Sequence, residues 1–441
     1  MAETERPNIL ILMNDQEWGG VLSPDHPCRT PHADRLAAEG LRFSQTYTTT
    51  AHCCPSRATF MTGLYPSRHG IYNNVLNQAA LHESLNPGVT TFSEALRDAG
   101  YALGFAGKWH VSATESPADR GWTEYHASAV QGEMHGLRWE RFRTMAQEPE
   151  SDAPREKGEL LRPGWGRYRL YGTREPDPEH DPFHPHDLDA VRAGIRALHD
   201  LAAGSKPWCL FVGPVGPHDP YVIPEYYATM YDPADVELPP SYYDNLLDKP
   251  RVYQRQRRFW GQMSEQEYRE AIAHYWGFCT MQDDLLGMVL EALDATGQAD
   301  NTVMIYTSDH GDYAGAHGLF MKGVAAFDER GIHPRLSGIN PEFDRPGFQV
   351  EAPRVAVRTL GNQIVRALDI EAPRMHRAAR VNGVRQVAHF FAVRYPVIVG
   401  VGVGGVGSVE RDFVVVRQPI AVGVPVSVGD QGIERVGVVG I

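Results

Sequence analysis

Lysine and tryptophan both run out before the end of this chain: no Lys follows Lys322 and no Trp follows Trp276. Residues 331–441 carry 13 Arg against 9 Asp plus Glu, a net of +4, while residues 1–330 carry −17. An asymmetry of that kind marks a boundary. Cysteine is scarce: the five are Cys28, Cys53, Cys54, Cys209 and Cys279. Their number is odd and no CxxC pair occurs, which argues against a disulfide framework or a zinc ribbon and fits a reducing compartment. Long apolar runs are missing too. Ile9 to Met13 is too short for the apolar core of a signal peptide, and no stretch reaches the roughly 20 residues a membrane helix needs. These absences lead us to expect a soluble, cytoplasmic protein. The net charge of −13 disfavours nucleic acid or an anionic membrane as the main partner, but leaves room for a locally cationic site.

What is present suits a large α/β domain. The chain has 441 residues, 42% of them hydrophobic, enough to bury a sizeable core. Ile9 to Met13 reads as a strand buried on both faces, ending in Asn14-Asp15-Gln16. Ala102 to Phe105 leads into Gly107-Lys108-Trp109-His110. Trp208 to Val212 leads into a turn carrying His218-Asp219, and Thr302 to Tyr306 into Ser308-Asp309-His310-Gly311. Between them lie helix signals. Thr91-Phe92-Ser93-Glu94 is a capping box, its helix closing at Gly100. Leu285, Met288, Val289, Ala292 and Leu293 form an apolar stripe closed by Gly297. Alternating strands and helices predict a mainly parallel sheet with helices on both faces, and four polar clusters at strand ends on the edge where such sheets bind ligands. Residues 122–200 and 222–270, rich in charge, Pro and aromatics, read as insertions walling that edge.

The most specific segment is His52-Cys53-Cys54-Pro55-Ser56-Arg57, continuing to Thr62-Gly63. Cys53-x-Pro55-x-Arg57 followed by Thr62-Gly63 resembles the signature of the type I sulfatases of the alkaline phosphatase superfamily. By itself such a pattern reads equally well as a buried small hydrophobe. Other positions agree in order, however. Arg6-Pro7-Asn8 through Asp15-Gln16 resembles the family's opening strand, and Thr30 to Gly40 the helix after it. Gly107 to His110 resembles its GKWH segment and Pro217 to Tyr221 its PHxPY segment. Thr307 to Gly311 resembles its second metal strand, and Lys322 its sulfate-contacting lysine. The resemblance spans about residues 6–328.

That resemblance implies an alkaline-phosphatase-like fold and a sulfuric ester hydrolase. It implies that a formylglycine-generating enzyme oxidises Cys53 to an aldehyde. The aldehyde hydrates, one hydroxyl attacks sulfur, and deprotonation of the other expels sulfate, an exit a plain serine lacks. It implies Asp15, Gln16, Asp309, His310 and the modified Cys53 as ligands of one divalent cation, Ca²⁺ first, with Mn²⁺ or Mg²⁺ as alternatives. Arg57, Lys108 and Lys322 would surround the sulfate and the nucleophile with positive charge. His218 and Lys322 would serve the leaving group, and His110 would deprotonate the second hydroxyl. His69, Asp312 and His317 are left outside the site. The substrate would be a sulfate ester of a small molecule or saccharide. Gln16 and His310 look more like the metal sets of choline sulfatases and phosphonate monoester hydrolases, so a phosphonate or phosphate ester hydrolase is the first rival reading. An inactive sulfatase-like protein is the second.

The second rival rests on the tail. We expect a catalytic domain over 1–330, followed at 331–441 by an atypical segment. Roughly half of residues 391–441 are Val or Gly, far above ordinary usage. Such a Val/Gly/Arg-rich, lysine-free stretch is what a GC-rich gene read out of frame would encode. It would lack the strand and helix that family members add after the Lys322 segment, leaving the sheet edge unpaired and the tail disordered.

Overall fold

The structure is a computed structural model. It describes residues 6–44, 46–76, 80–127, 155–162 and 166–322, with further short strands at 327–328, 331–332, 356–358, 375–381, 384–392, 421–429 and 432–436. The central sheet uses β1 (Asn8–Asn14), β2 (Gly40–Arg42), β3 (Ala102–Gly107), β4 (Thr123–Ala127), β5 (Trp208–Gly213), β6 (Thr302–Ser308) and β7 (Ala356–Arg358). Its spatial order is β2-β7-β6-β1-β5-β3-β4. β6, β1, β5, β3 and β4 run parallel; β7 runs antiparallel between β6 and β2. The expected α/β architecture is therefore the one observed.

Alternation along the strands divides the core. Leu10 and Leu12 of β1, Leu210 and Val212 of β5, and Met304 and Tyr306 of β6 face one side. There they meet α1 (Pro31–Ala38), α3 (Pro185–Ala202) and α4 (Glu265–Ala295). Ile11, Met13, Leu103, Phe105, Cys209 and Phe211 face the other, against α2 (Cys53–Thr62) and the helix Phe92–Asp98. Strands buried on both faces need apolar residues at nearly every position, which is why they read as continuous runs.

Several expectations need correcting. Residues 185–202 are not part of an insertion; they form α3, whose Leu188, Val191 and Leu198 are buried against the sheet. The stripe at 285–293 is only the last third of α4, which begins twenty residues earlier at a Ser264/Glu267 capping box. The edge of β6 is not left bare, since Met304–Tyr306 pair with Ala356–Arg358. Most of 331–441, and 128–154 of the expected insertion, lie outside the described residues.

Candidate active site

The four polar clusters emerge together at the carboxyl ends of the parallel strands. Backbone bonds tie those ends to one another: Asp309 N–H donates to Asn14 O (3.2 Å), Asp15 N–H to Gly216 O (3.1 Å) and Lys108 N–H to Gly213 O (2.7 Å). Gly107 is required at the last of these. Its φ is +111°, and a Cβ there would lie 2.1 Å from Gly213 O.

Cys53 is the first residue of α2 and is fully buried. Its Sγ lies 3.5 Å from Asp15 Oδ1 and 3.3 Å from His310 Nε2. Ligand atoms of Asp15, Cys53, Asp309 and His310 all fall within 4.8 Å of one another. His310 shows what this group is suited to hold. Its Nδ1 lies 2.9 Å from the Gly311 carbonyl, an acceptor, so Nδ1 carries the proton and the neutral ring aims a lone pair from Nε2. That lone pair faces Asp15 Oδ1 and Asp309 Oδ1, each 3.6 Å away. Burial holds the His310 pKa down despite Asp309, so protonation does not resolve the repulsion. A divalent cation among two carboxylates, an imidazole and the Cys53 position does, and the donor set fits one.

Gln16 departs from the expected ligand set. Its Oε1 accepts from Lys322 Nζ (2.7 Å), and its Nε2 donates to Asp219 (3.1 Å) and Asp312 (2.6 Å). It joins the ligand group through its backbone, whose N–H donates to Asp309 Oδ1 (3.1 Å), at a φ of +69°.

The cations are arranged around this group. Arg57, one turn into α2, spans both carboxylates, with Nε on Asp309 (2.8 Å) and Nη2 on Asp15 (3.2 Å). It thereby clamps the two acids, and the charge at Cys53 adds to theirs in keeping the guanidinium protonated. Lys108 Nζ contacts Asp15 Oδ2 at 2.6 Å. Burial pushes the Asp15 carboxyl up, but Lys108, His218, Arg57 and Lys322 together hold it well below the usual carboxylate range. The same attractions hold Lys108, Arg57 and Lys322 charged against burial.

Lys322 Nζ contacts His218 Nε2. His218 Nδ1 lies 2.7 Å from Asp219 O, so Nδ1 donates there and Nε2 receives the lysine proton. The two residues form one proton-sharing unit beside Asp15, whose Oδ1 is 3.9 Å from His218 Nε2. His110 is buried, and among the described residues neither ring nitrogen has a partner. Burial, then Lys108, lower its pKa well below the ordinary imidazole value. A buried imidazole without partners is costly unless a ligand supplies them.

Several neighbours escaped the sequence reading. Asp312, set aside there, is buried and accepts from Gln16 and from Tyr221 Oη (2.6 Å); burial pushes its carboxyl up to about 6. Tyr168 donates to Asp219, and His52 Nδ1 donates to Asn74 Oδ1 (2.8 Å). Asp312 could have been found from its place in the Asp309–Asp312 run at a strand end. Tyr168 and Asn74 carry no local signal. His69 is bonded to Thr59 and His317 to Asp244.

A mainly parallel sheet with its ligand edge built this way is that of the alkaline phosphatase superfamily. The family described as Sulfatase matches residues 7–331, and the chain belongs to that family. It is 28% identical over 393 residues to the uncharacterized sulfatase YidJ of Escherichia coli, covering 87% of this chain and 72% of that protein. It is 28% identical to the choline-sulfatase of Rhizobium meliloti, covering 72% of this chain and 60% of that one. Among solved structures, the phosphonate monoester hydrolase of Agrobacterium radiobacter shares the fold with a TM-score of 0.58 at 22% identity, covering 81% of this chain and 68% of that one.

Proposed function

We propose that this chain hydrolyses sulfate esters of small molecules or saccharides, with formylglycine at position 53 as nucleophile and one divalent cation beside it. The observation that carries the reading is the convergence of Cys53, Asp15, Asp309 and His310 within 4.8 Å, together with a buried His110 that has no hydrogen-bond partner among the described residues. The cation's contribution, when bound, is to lower the pKa of the hydrated formylglycine so that a hydroxyl is nucleophilic near neutral pH. Asp15, Asp309 and His310 would hold that cation, Ca²⁺ being the first choice for oxygen-rich ligation and Mn²⁺ or Mg²⁺ the alternatives. Arg57 fixes both carboxylates. Lys108 and Lys322 meet the sulfate oxygens as fixed charges that need no reorganisation. The His218–Lys322 unit gives a proton to the leaving oxygen, and His110 takes one from the second hydroxyl.

Maturation by a formylglycine-generating enzyme is part of the proposal. Tryptic mass spectrometry of protein co-expressed with such an enzyme is expected to show residue 53 about 18 Da below the thiol form. An active preparation with residue 53 wholly as thiol rules the nucleophile out. A second reading, phosphonate or phosphate ester hydrolysis, is favoured by Gln16 and His310 at positions where many sulfatases carry Asp and Asn, respectively. Side-by-side turnover of aryl sulfate, phosphate diester and phosphonate monoester decides between them.

A further inference from the structure

Asp187 has no part in the chemistry above, yet it reaches the site through backbone. It is the third residue of α3 and is fully buried. One oxygen, Oδ1, accepts the N–H groups of both Val215 (2.6 Å) and Gly216 (3.0 Å). The other, Oδ2, accepts from Gln282 Nε2 on α4 (3.0 Å). Val215 and Gly216 lie in the turn between the end of β5 and His218. The same two residues use their carbonyls on the site: Gly216 O accepts the Asp15 N–H (3.1 Å) and Val215 O accepts the His218 N–H (3.3 Å). The turn is also pressed onto this anchor. A Cβ on Gly216 would lie 2.1 Å from Gln282 Nε2, 2.5 Å from Phe278 and 2.8 Å from Asp187 Oδ2.

One carboxylate thus holds two consecutive N–H groups whose residues carry a metal-ligand strand end and the leaving-group histidine. Removing it would orphan both N–H groups in the interior, and the turn would shift to recover partners. His218 would move with it, away from Lys322 Nζ. We propose that Asp187 is a positioning residue that sets His218 against Lys322 on the leaving-group side. This rests on the reading of His218 as part of the leaving-group proton donor.

The conservative variant is informative because Gln282 Oε1 is buried without a partner among the described residues. In Asp187→Asn, Oδ1 still accepts both N–H groups. The new amide N–H₂ then meets Gln282 Oε1 once that side chain turns over. Asp187→Ala offers nothing.

Two arms test the proposal on the full-length, metal-loaded protein. The first measures kcat/KM for aryl esters of rising leaving-group pKa, using whichever ester class the wild type turns over. Asp187→Ala is expected to lose about 100-fold on poor leaving groups and little on nitrophenyl-type esters. Asp187→Asn is expected to stay near wild type. Asp187→Ala combined with His218→Ala should lose no more than His218→Ala alone. The second arm reads no activity: hydrogen exchange of peptides covering 213–220 should accelerate in Asp187→Ala and not in Asp187→Asn, with β6 peptides unchanged. A uniform loss across leaving groups, a multiplicative double variant, or unchanged exchange at 213–220 overturns the proposal. A wild type inactive on every ester sinks the hydrolase reading, and the exchange arm alone then decides for or against Asp187. Should Asp187→Ala not fold, Asp187→Ser, which keeps one acceptor, is read in the same way.

Discussion

At residue 309 two demands meet on one carboxylate: it lies in the ligand group with Asp15, Cys53 and His310, and it anchors Arg57 at 2.8 Å. Asp309→Ala is expected to abolish divalent-cation binding and to lower turnover by several orders of magnitude, because the nucleophile loses its activator. Metal content after desalting and kcat on an aryl sulfate check this; full activity in a chelator-washed, metal-free sample defeats it. His218 makes a narrower claim. Paired with Lys322 through Nε2, it matters most where the departing oxygen most needs a proton. His218→Ala should slow esters of poor leaving groups far more than nitrophenyl-type esters. An equal loss across the series would make it a binding residue.

Helix α1 shows how one element is held by another. The N–H groups of His32 and Ala33, in its first turn, donate to Asp283 on α4 at 2.9 and 2.7 Å. Burial nevertheless pushes the Asp283 carboxyl up to about 7 from an ordinary 3.8, against those two bonds. Because its folded value is raised, the folded chain keeps this proton to higher pH than the unfolded chain does. The stability so contributed is complete below about 4 and is lost as pH rises through about 7. Asp283→Asn removes this titration. Its stability relative to wild type is therefore expected to improve steadily between about pH 4 and pH 7. Urea melts at unit pH steps measure it; a constant difference across that range contradicts the shift. Helix α4 carries a lesson of its own. Its start is a Ser264-x-x-Glu267 capping box that the sequence analysis left inside the expected 222–270 insertion, and the residues that follow are buried on several faces, so no single stripe announces them. Helices buried all round lose the amphipathic period by which helices are recognised.

For the whole molecule, the open matter is the change in composition after residue 322. Thirteen Arg and no Lys in 331–441 reflect codon content better than they reflect selection for a folded surface, where both cations are ordinary. We predict that resequencing across the codons for Asp328 to Pro334 finds a frame shift, and that the restored frame encodes a strand continuing the catalytic domain. An unbroken frame makes 331–441 a genuine appendage. In that case the pairing of Ala356–Arg358 between β6 and β2 is its means of attachment. Either way the edge of β6 needs a partner, since unpaired N–H and C=O groups on an apolar edge promote aggregation.

Sequence by itself determined the strands that carry the site, because burial on both faces forces apolar runs that end abruptly in polar residues. It also determined which side chains those ends present: Asp15, Lys108, His110, His218, Asp309 and His310 each follow such a run, and Cys53 lies in a motif that becomes specific once those other positions agree with it in order. Tertiary structure decided what those side chains touch. That Arg57 grips two acids 42 and 252 residues away, that Gln16 turns its amide oxygen to Lys322, and that Asp312 and Tyr168 belong to the same network follow only once the strands are side by side. Asp187 is the clearest case. Nothing local distinguishes it from any other acid in the first turn of a helix; its partners are backbone groups of a turn that reaches it only when β5 is laid against α3.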